Sequence, residues 1–194
     1  MSDAERENAL NFNISIDIPT SILNSMIQFI IVVGEPPYSF APDHGMLVWH
    51  LMFMLHGGDC IHARFYAPDN PSGICGILRM EFEPGPFDST VVCTCPFHCR
   101  SQATISQVIS KFIEDGISRY SCGDNGRNYA WWCSLVLYRF ARAGYVAQSA
   151  AIDFRAYVDE LRTTDEDLRE RLPQIISEGW PTRHFVMVND NEPV

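Results

Sequence analysis

Asp124-Asn125-Gly126-Arg127-Asn128-Tyr129-Ala130-Trp131-Trp132-Cys133-Ser134-Leu135-Val136-Leu137-Tyr138 is the stretch whose reading decides the fold. Asp-Asn-Gly opens as a turn, and the residues after it predict a helix. Tyr129, Trp132, Cys133, Val136 and Phe140 stand at i, i+3, i+4, i+7 and i+11, which places them on one broad helical face. Gly144 is the expected stop. A helix with this apolar load is the central one of a small domain, and the rest of the chain reads as what packs around it.

The order of elements on either side gives the fold class. Before the helix, alternation and β-branched runs predict strands at Ile14–Ile18, Ile27–Val33, Met46–Leu55, Cys60–Tyr66 and Gly76–Phe82, with Thr90–Cys95 completing a meander. Pro19-Thr20-Ser21 caps a helical turn, and Gly34 with Pro36-Pro37 ends the second strand. His56-Gly57-Gly58-Asp59 is a hairpin turn. With the turn centred on its two glycines, His50 shares a face with Met52, Met54, Ile61, Ala63 and Phe65. His62 then lies opposite, with Phe53 and Arg64.

Thr104-Ile105-Ser106-Gln107 matches a capping box for a helix to about Glu114, ended by Gly116. Two helices follow the Trp-rich one, Ser149–Leu161 and Asp165–Glu178, the latter between a Thr164 cap and a Gly179 stop. A strand at His184–Val188 closes the order. Strands, then helices, then a strand predict an α+β fold with a mainly antiparallel sheet.

The chain of 194 residues fits one domain, with residues 1–13 as a polar arm. Hydrophobic content of 46% with 20% charged residues belongs to a globular protein. A net charge of −10 without any Lys/Arg run argues against nucleic acid as a partner. The longest apolar run, Met26–Val33, is too short to span a bilayer, so no membrane partner is expected. The polar, acidic start lacks a basic leader, and the seven cysteines are an odd number. We expect free thiols in the cytoplasm. A homodimer is compatible with this composition.

Among the candidate site residues, His50 is the acid–base candidate, since imidazole titrates near neutrality, at about 6.5, and modest burial tunes it. A core histidine with one satisfied nitrogen is the alternative. Trp49, Phe53, Tyr129, Trp131 and Trp132 offer an aromatic lining, joined by Met52, Phe65 and Cys133. Asp124 and Arg127 at the helix entrance are placed to orient a ligand. Core packing or capping is the plainer reading of each. Cys133 as nucleophile with His50 as base is weakened by its depth in the helix, beyond the first turn that lowers a thiol's pKa. Cys93-x-Cys95-x-x-His98-Cys99 is the metal-like cluster, but a single compressed knuckle gives poor tetrahedral geometry, so no metal is expected. No nucleotide loop, dinucleotide fingerprint or PLP context is present, so no organic cofactor is expected either.

Leu47-Val48-Trp49-His50-Leu51 and Asn128-Tyr129-Ala130-Trp131-Trp132 together resemble two motifs of the permuted papain-like proteins, which include NlpC/P60-type hydrolases and lecithin:retinol acyltransferase-like enzymes. The resemblance spans roughly residues 25–147 and extends to a set of uncharacterised fungal proteins of that kind. Framework tryptophans Trp49 and Trp132 match. Val48 stands where the family histidine would be and Tyr129 where the nucleophilic cysteine would be. The resemblance therefore implies a papain-like scaffold without its thiol machinery.

The functional expectation is a cofactor-independent cyclase or isomerase, with a pericyclic step among its options, acting on an apolar, natural-product-like small molecule. His50 and Tyr129 would supply proton transfer or hydrogen bonding. The alternatives are a thiol hydrolase or acyltransferase using Cys133 and His50, and a non-catalytic interaction protein that meets its partner through the Trp-rich face.

Overall fold

Ile27–Glu35, rich in Ile, Val and Phe, has partners on both sides and forms the heart of the sheet. The computed structural model describes residues 14–35, 47–66, 77–85, 91, 93–117, 129–164 and 166. Within them the strands are β1 (Ile14–Asp17), β2 (Ile27–Glu35), β3 (Val48–Leu55), β4 (Cys60–Tyr66), β5 (Ile77–Glu83) and β6 (Cys93–His98). The order across the sheet is β1-β5-β4-β3-β2-β6. Only β1 runs parallel to its neighbour, β5; the other pairings are antiparallel. Among the described residues three α-helices follow, α1 (Ile105–Glu114), α2 (Tyr129–Arg142) and α3 (Ala150–Thr164). The fold is α+β with a mostly antiparallel sheet, as the sequence predicts.

Several elements stand where the residues put them, and others depart for identifiable reasons. The predicted helical turn near Pro19 is a single 3-10 turn, Thr20–Ile22. The capping box is present in full: Gln107 N–H donates to Thr104 Oγ1 at 3.4 Å, and Thr104 N–H donates to Gln107 Oε1 at 2.9 Å. β2 does not end at Gly34 but continues through Glu35. Gly34 is required there because a Cβ would lie 2.5 Å from Cys93 Sγ and 3.3 Å from the Trp49 ring.

β6 does not complete the meander. It crosses to the far edge and pairs with β2, because the free edge of β5 is taken by β1. Thr164 lies within α3, its Oγ1 donating to Glu160 O at 2.9 Å, instead of capping a later helix. The predicted elements at 165–178 and 184–188 lie outside the described residues.

The hairpin turn departs from expectation with the largest consequence. Leu55 N–H donates to Asp59 O at 2.9 Å and Gly58 N–H to Leu55 O at 3.0 Å, leaving His56, Gly57 and Gly58 as a three-residue loop. Gly58 has φ +89°, the left-handed conformation that such a loop requires at its last residue. The turn therefore centres on Gly57, and the register pairs Met52 with His62 and Phe53 with Ile61. All of β4 is in the opposite phase to the one a two-glycine turn would set.

The helices cover one face. Trp49, Leu51, Phe53, Ile61, Ala63, Phe65, Leu78 and Met80 from the strands meet Phe112 of α1, Trp132, Cys133, Val136 and Phe140 of α2, and Phe154 of α3 in the main core. Trp132 stacks on Phe112 with centroids 6.3 Å apart and planes 16° from parallel, and its indole N–H donates to Ile117 O at 3.3 Å. The Trp-rich helix thus lies against both the sheet and α3. Among the described residues no helix is long and apolar enough to cross a membrane.

Gly34→Ala is expected to cost about 1–3 kcal/mol by overpacking. Urea denaturation of Gly34→Ala, Cys93→Ala and the double variant tests the contact. Removing the thiol should recover most of the loss, and strict additivity would refute the clash.

Candidate functional site

Side chains alternate along a strand, so the face away from the helices carries Glu35 of β2, His50 and Met52 of β3, Cys60, His62 and Arg64 of β4, and Arg79, Glu81 and Glu83 of β5. Directly opposed pairs on this face are Val33 with His50, Met52 with His62, and His62 with Glu81. The contacts among Glu35, His50, His62 and Glu83, however, are diagonal, each stepping one strand over and two residues along. Diagonal neighbours are within reach of long side chains. The result is a continuous line, Glu35–His50–His62–Glu83, that crosses four strands.

Its links are short. His50 Nε2 and His62 Nδ1 are 3.0 Å apart, and His62 Nε2 lies 3.0 Å from Glu83 Oε2. His50 Nδ1 lies 3.6 Å from Glu35 Oε2. Arg64 flanks the line, with Nη2 3.3 Å from Glu35 Oε1 and Nη1 3.8 Å from Glu81 Oε2. Glu81 is also held by Arg79 Nε at 3.0 Å. Burial differs between the members: the side chains of His50 and His62 are 1% and 4% exposed, that of Glu35 11%, and that of Glu83 54%. One end is interior and the other meets water.

Burial disfavours a charged ring. It lowers the His50 pKa to about 2, helped by the Arg64 guanidinium and by His62. His62 is lowered to about 4 by burial and then by Arg64. Both rings are therefore neutral at physiological pH. The sequence-based expectation of a histidine tuned modestly around neutrality gives way to a pair held as uncharged tautomers. Nearby, burial also raises the Cys60 thiol, followed by the charges of Glu83 and Asp59.

Tautomers follow from the bonding. A carboxylate only accepts, so His62 carries its proton on Nε2, toward Glu83. Its Nδ1 then accepts from His50 Nε2–H. This leaves His50 Nδ1 as a lone pair facing Glu35, and it is a buried nitrogen without a hydrogen-bond partner. Two neutral rings bring two protons to three links, and the empty link is the one at Glu35. Beside the line, Ile31, Val33, Met52 and Cys60 form a second apolar cluster with Phe29, Met54 and Val91 packed against it.

Of the candidate site residues that are described, His50 and Met52 lie on this face, with Met54 beside them as expected. Ile61, Ala63 and Phe65, expected beside His50, point into the main core under the helices, and His62 and Arg64 take their place. Trp49 packs edge-on against Phe154 at 5.4 Å, and Phe65 lies against Trp132 at 6.0 Å. Phe53 also faces that core, 6.3 Å from Phe112. Trp131 is buried. Tyr129 is half-buried against the same core, so the sheet separates it from His50.

Cys133 is fully buried on that far side, and burial raises its pKa well above an ordinary thiol's. It is neither near His50 nor poised as a thiolate. Asp124 and Arg127 lie outside the described residues.

The Cys93–Cys99 cluster is divided by the sheet. Cys93 and Cys95 face the helices, with thiols pushed up by burial to about 11 and about 12. Pro96 is not a turn but a strand residue opposite Ile31. His98 emerges on the other face, 5.3 Å edge-on from Phe29. Among the described residues no group of three or more metal-type side chains is gathered.

Glu35 and Glu83 carry no signal of a site in the sequence, and His62 and Arg64 are expected there on the face opposite His50, whereas the register brings both to it. Gly58 was the available signal, since a three-residue loop inverts the phase of β4.

A family model described as a domain of unknown function, DUF7770, matches residues 30–180, which includes the whole four-strand line. The chain belongs to the DUF7770 family. Neither the curated proteins nor the solved structures contain a match.

Both histidines have folded pKa values below the 6.5 of the free side chain. The unfolded chain therefore binds more protons between pH of about 6.5 and 4, and stability falls as pH falls through that window. For two such rings the slope is about 2 kcal/mol per pH unit. Urea titrations at stepped pH should show it, and a His50→Gln/His62→Gln variant should lose most of it.

Proposed function

We propose that this DUF7770 chain is a cofactor-independent enzyme, an isomerase or cyclase, that moves protons on a small and largely apolar substrate of the natural-product kind. The observation that carries this reading is the line Glu35–His50–His62–Glu83, in which two neutral imidazoles join an interior carboxylate to an exposed one. Buried histidine pairs flanked by acids are expensive to maintain for stability alone, because each polar atom must be desolvated. Perturbed titratable groups gathered in one place are a mark of functional sites. The Ile31–Val33–Met52 cluster on the same face offers an apolar surface next to the polar line.

Tyr129 has no part in this mechanism, since it packs on the far side of the sheet. Thiol chemistry through Cys133 is disfavoured by the same separation and by the raised thiol pKa. General acid–base catalysis by a positioned group contributes typically 10²–10⁴-fold, and shaping the substrate supplies the remainder.

The test is a thermal-shift screen of apolar carbonyl compounds, followed by incubation of the stabilising ligands in D2O with mass spectrometry of substrate and product. Deuterium incorporation or isomerisation is expected in the wild type, reduced by roughly 10²-fold or more in His50→Gln and Glu35→Gln. Tyr129→Phe and iodoacetamide treatment should leave it in place. Turnover that survives His50→Gln, or that is abolished by thiol alkylation, would overturn the proposal.

A further inference from the structure

Glu35 and Glu83 stand at opposite ends of one line of acids and imidazoles, bonded at 3.0 Å from His50 to His62 and from His62 to Glu83, yet they differ in access. We propose that the line is a directional proton relay: Glu35 takes a proton from the substrate, the two rings pass it on, and Glu83 exchanges it with solvent. This inference rests on the acid–base reading of the same site and assigns a separate role to each member.

The empty link determines the direction. His50 Nδ1 is a buried lone pair aimed at Glu35 Oε2 from 3.6 Å, the acceptor that a proton arriving on Glu35 requires. Once it accepts, His50 Nε2–H passes its proton to His62 Nδ1, 3.0 Å away. His62 Nε2–H then passes its own to Glu83 Oε2, also at 3.0 Å, and Glu83 releases one proton to water. One proton enters and one leaves. Both rings end as the Nδ1–H tautomers, and neither need become a cation in a concerted transfer. That suits an environment where burial and the neighbouring Arg64 disfavour a charged ring.

The charged groups around the line are consistent with this. Arg64 bridges Glu35 and Glu81, and Arg79 holds Glu81, so Glu83 is the acid of β5 that contacts His62. Cys60, the thiol beside this end, is held protonated by burial and by Glu83.

Resetting the rings requires a proton to travel back from Glu83 to Glu35. A reaction that removes one proton from its substrate and later returns one does this within a single turnover. The relay therefore selects isomerisations by proton loss and regain over net eliminations or hydrolyses. Glu35 is the catalytic residue in this scheme, while His50, His62 and Glu83 are positioning and transfer residues.

The experiment is long-range 1H–15N NMR of the full chain labelled at histidine, near neutral pH and without substrate. His50 and His62 are both expected as neutral Nε2–H tautomers. The His50 ring proton, although buried, should exchange with water through His62 and Glu83. In Glu83→Gln, which keeps an acceptor for His62 but cannot carry the proton, that exchange should slow at least tenfold. An Nδ1–H tautomer at either ring in the wild type would overturn the relay even if the variant failed to fold. Exchange unchanged in folded Glu83→Gln would overturn it as well. The NMR needs no substrate, so intact relay signatures without any turnover would refute only the enzymatic reading.

Discussion

The loop between β3 and β4 has an odd number of residues, and that parity fixes the phase of β4 and so of β5, which pairs with it. With His56, Gly57 and Gly58 in the loop and Gly58 in the left-handed conformation, His62 comes round to the face of His50. An even loop would have sent His62, Arg64, Glu81 and Glu83 under the helices, where the main core has no room for charge. Ile61, Ala63 and Phe65 would then have faced away from Trp132 and Phe112. The polar line and the aromatic core thus depend on the same backbone feature.

Given that phase, the two faces of the sheet carry different chemistry. The helix side is aromatic and apolar, its large rings interlocking between β3, α1 and α2. The other side mixes a small apolar cluster with a hydrogen-bonded line of acids and imidazoles. Buried polar groups are tolerated when bonded to one another. The line obeys this except at His50 Nδ1, and such an exception in a native fold calls for an explanation.

Local chemistry was legible in the residues, and long-range choices were not. Thr104 and Gln107 identify a helix start because a capping box is self-contained within four residues. The strand Cys60–Tyr66 could be bounded to the residue, as could the helix stop at Gly144, which has φ +79°. The placement of β6 beside β2 was hidden, since the choice of sheet edge depends on where β1 docks. Glu35 and Glu83 were hidden for another reason. Each is the last residue of its strand and precedes proline, so composition assigns both to loops. His62 was visible as a residue but was placed on the wrong face by one residue of loop length.

The two outer strands have a consequence for how the chain assembles. β2 to β5 are joined in sequence, and each can zip onto the strand before it. β1 must wait for β5, its partner Leu78 lying far along the chain from Ile14, and β2 must wait for β6 to fill its second edge. Contacts closed by such long loops carry a larger entropy of closure and slow the search for the native state. The meander therefore has the topology of an early scaffold, and the edge ladders that of its late closures. Since Glu35 and Glu83 lie on β2 and β5, the polar line requires only the meander's own registers and can be assembled before the sheet has acquired its edges.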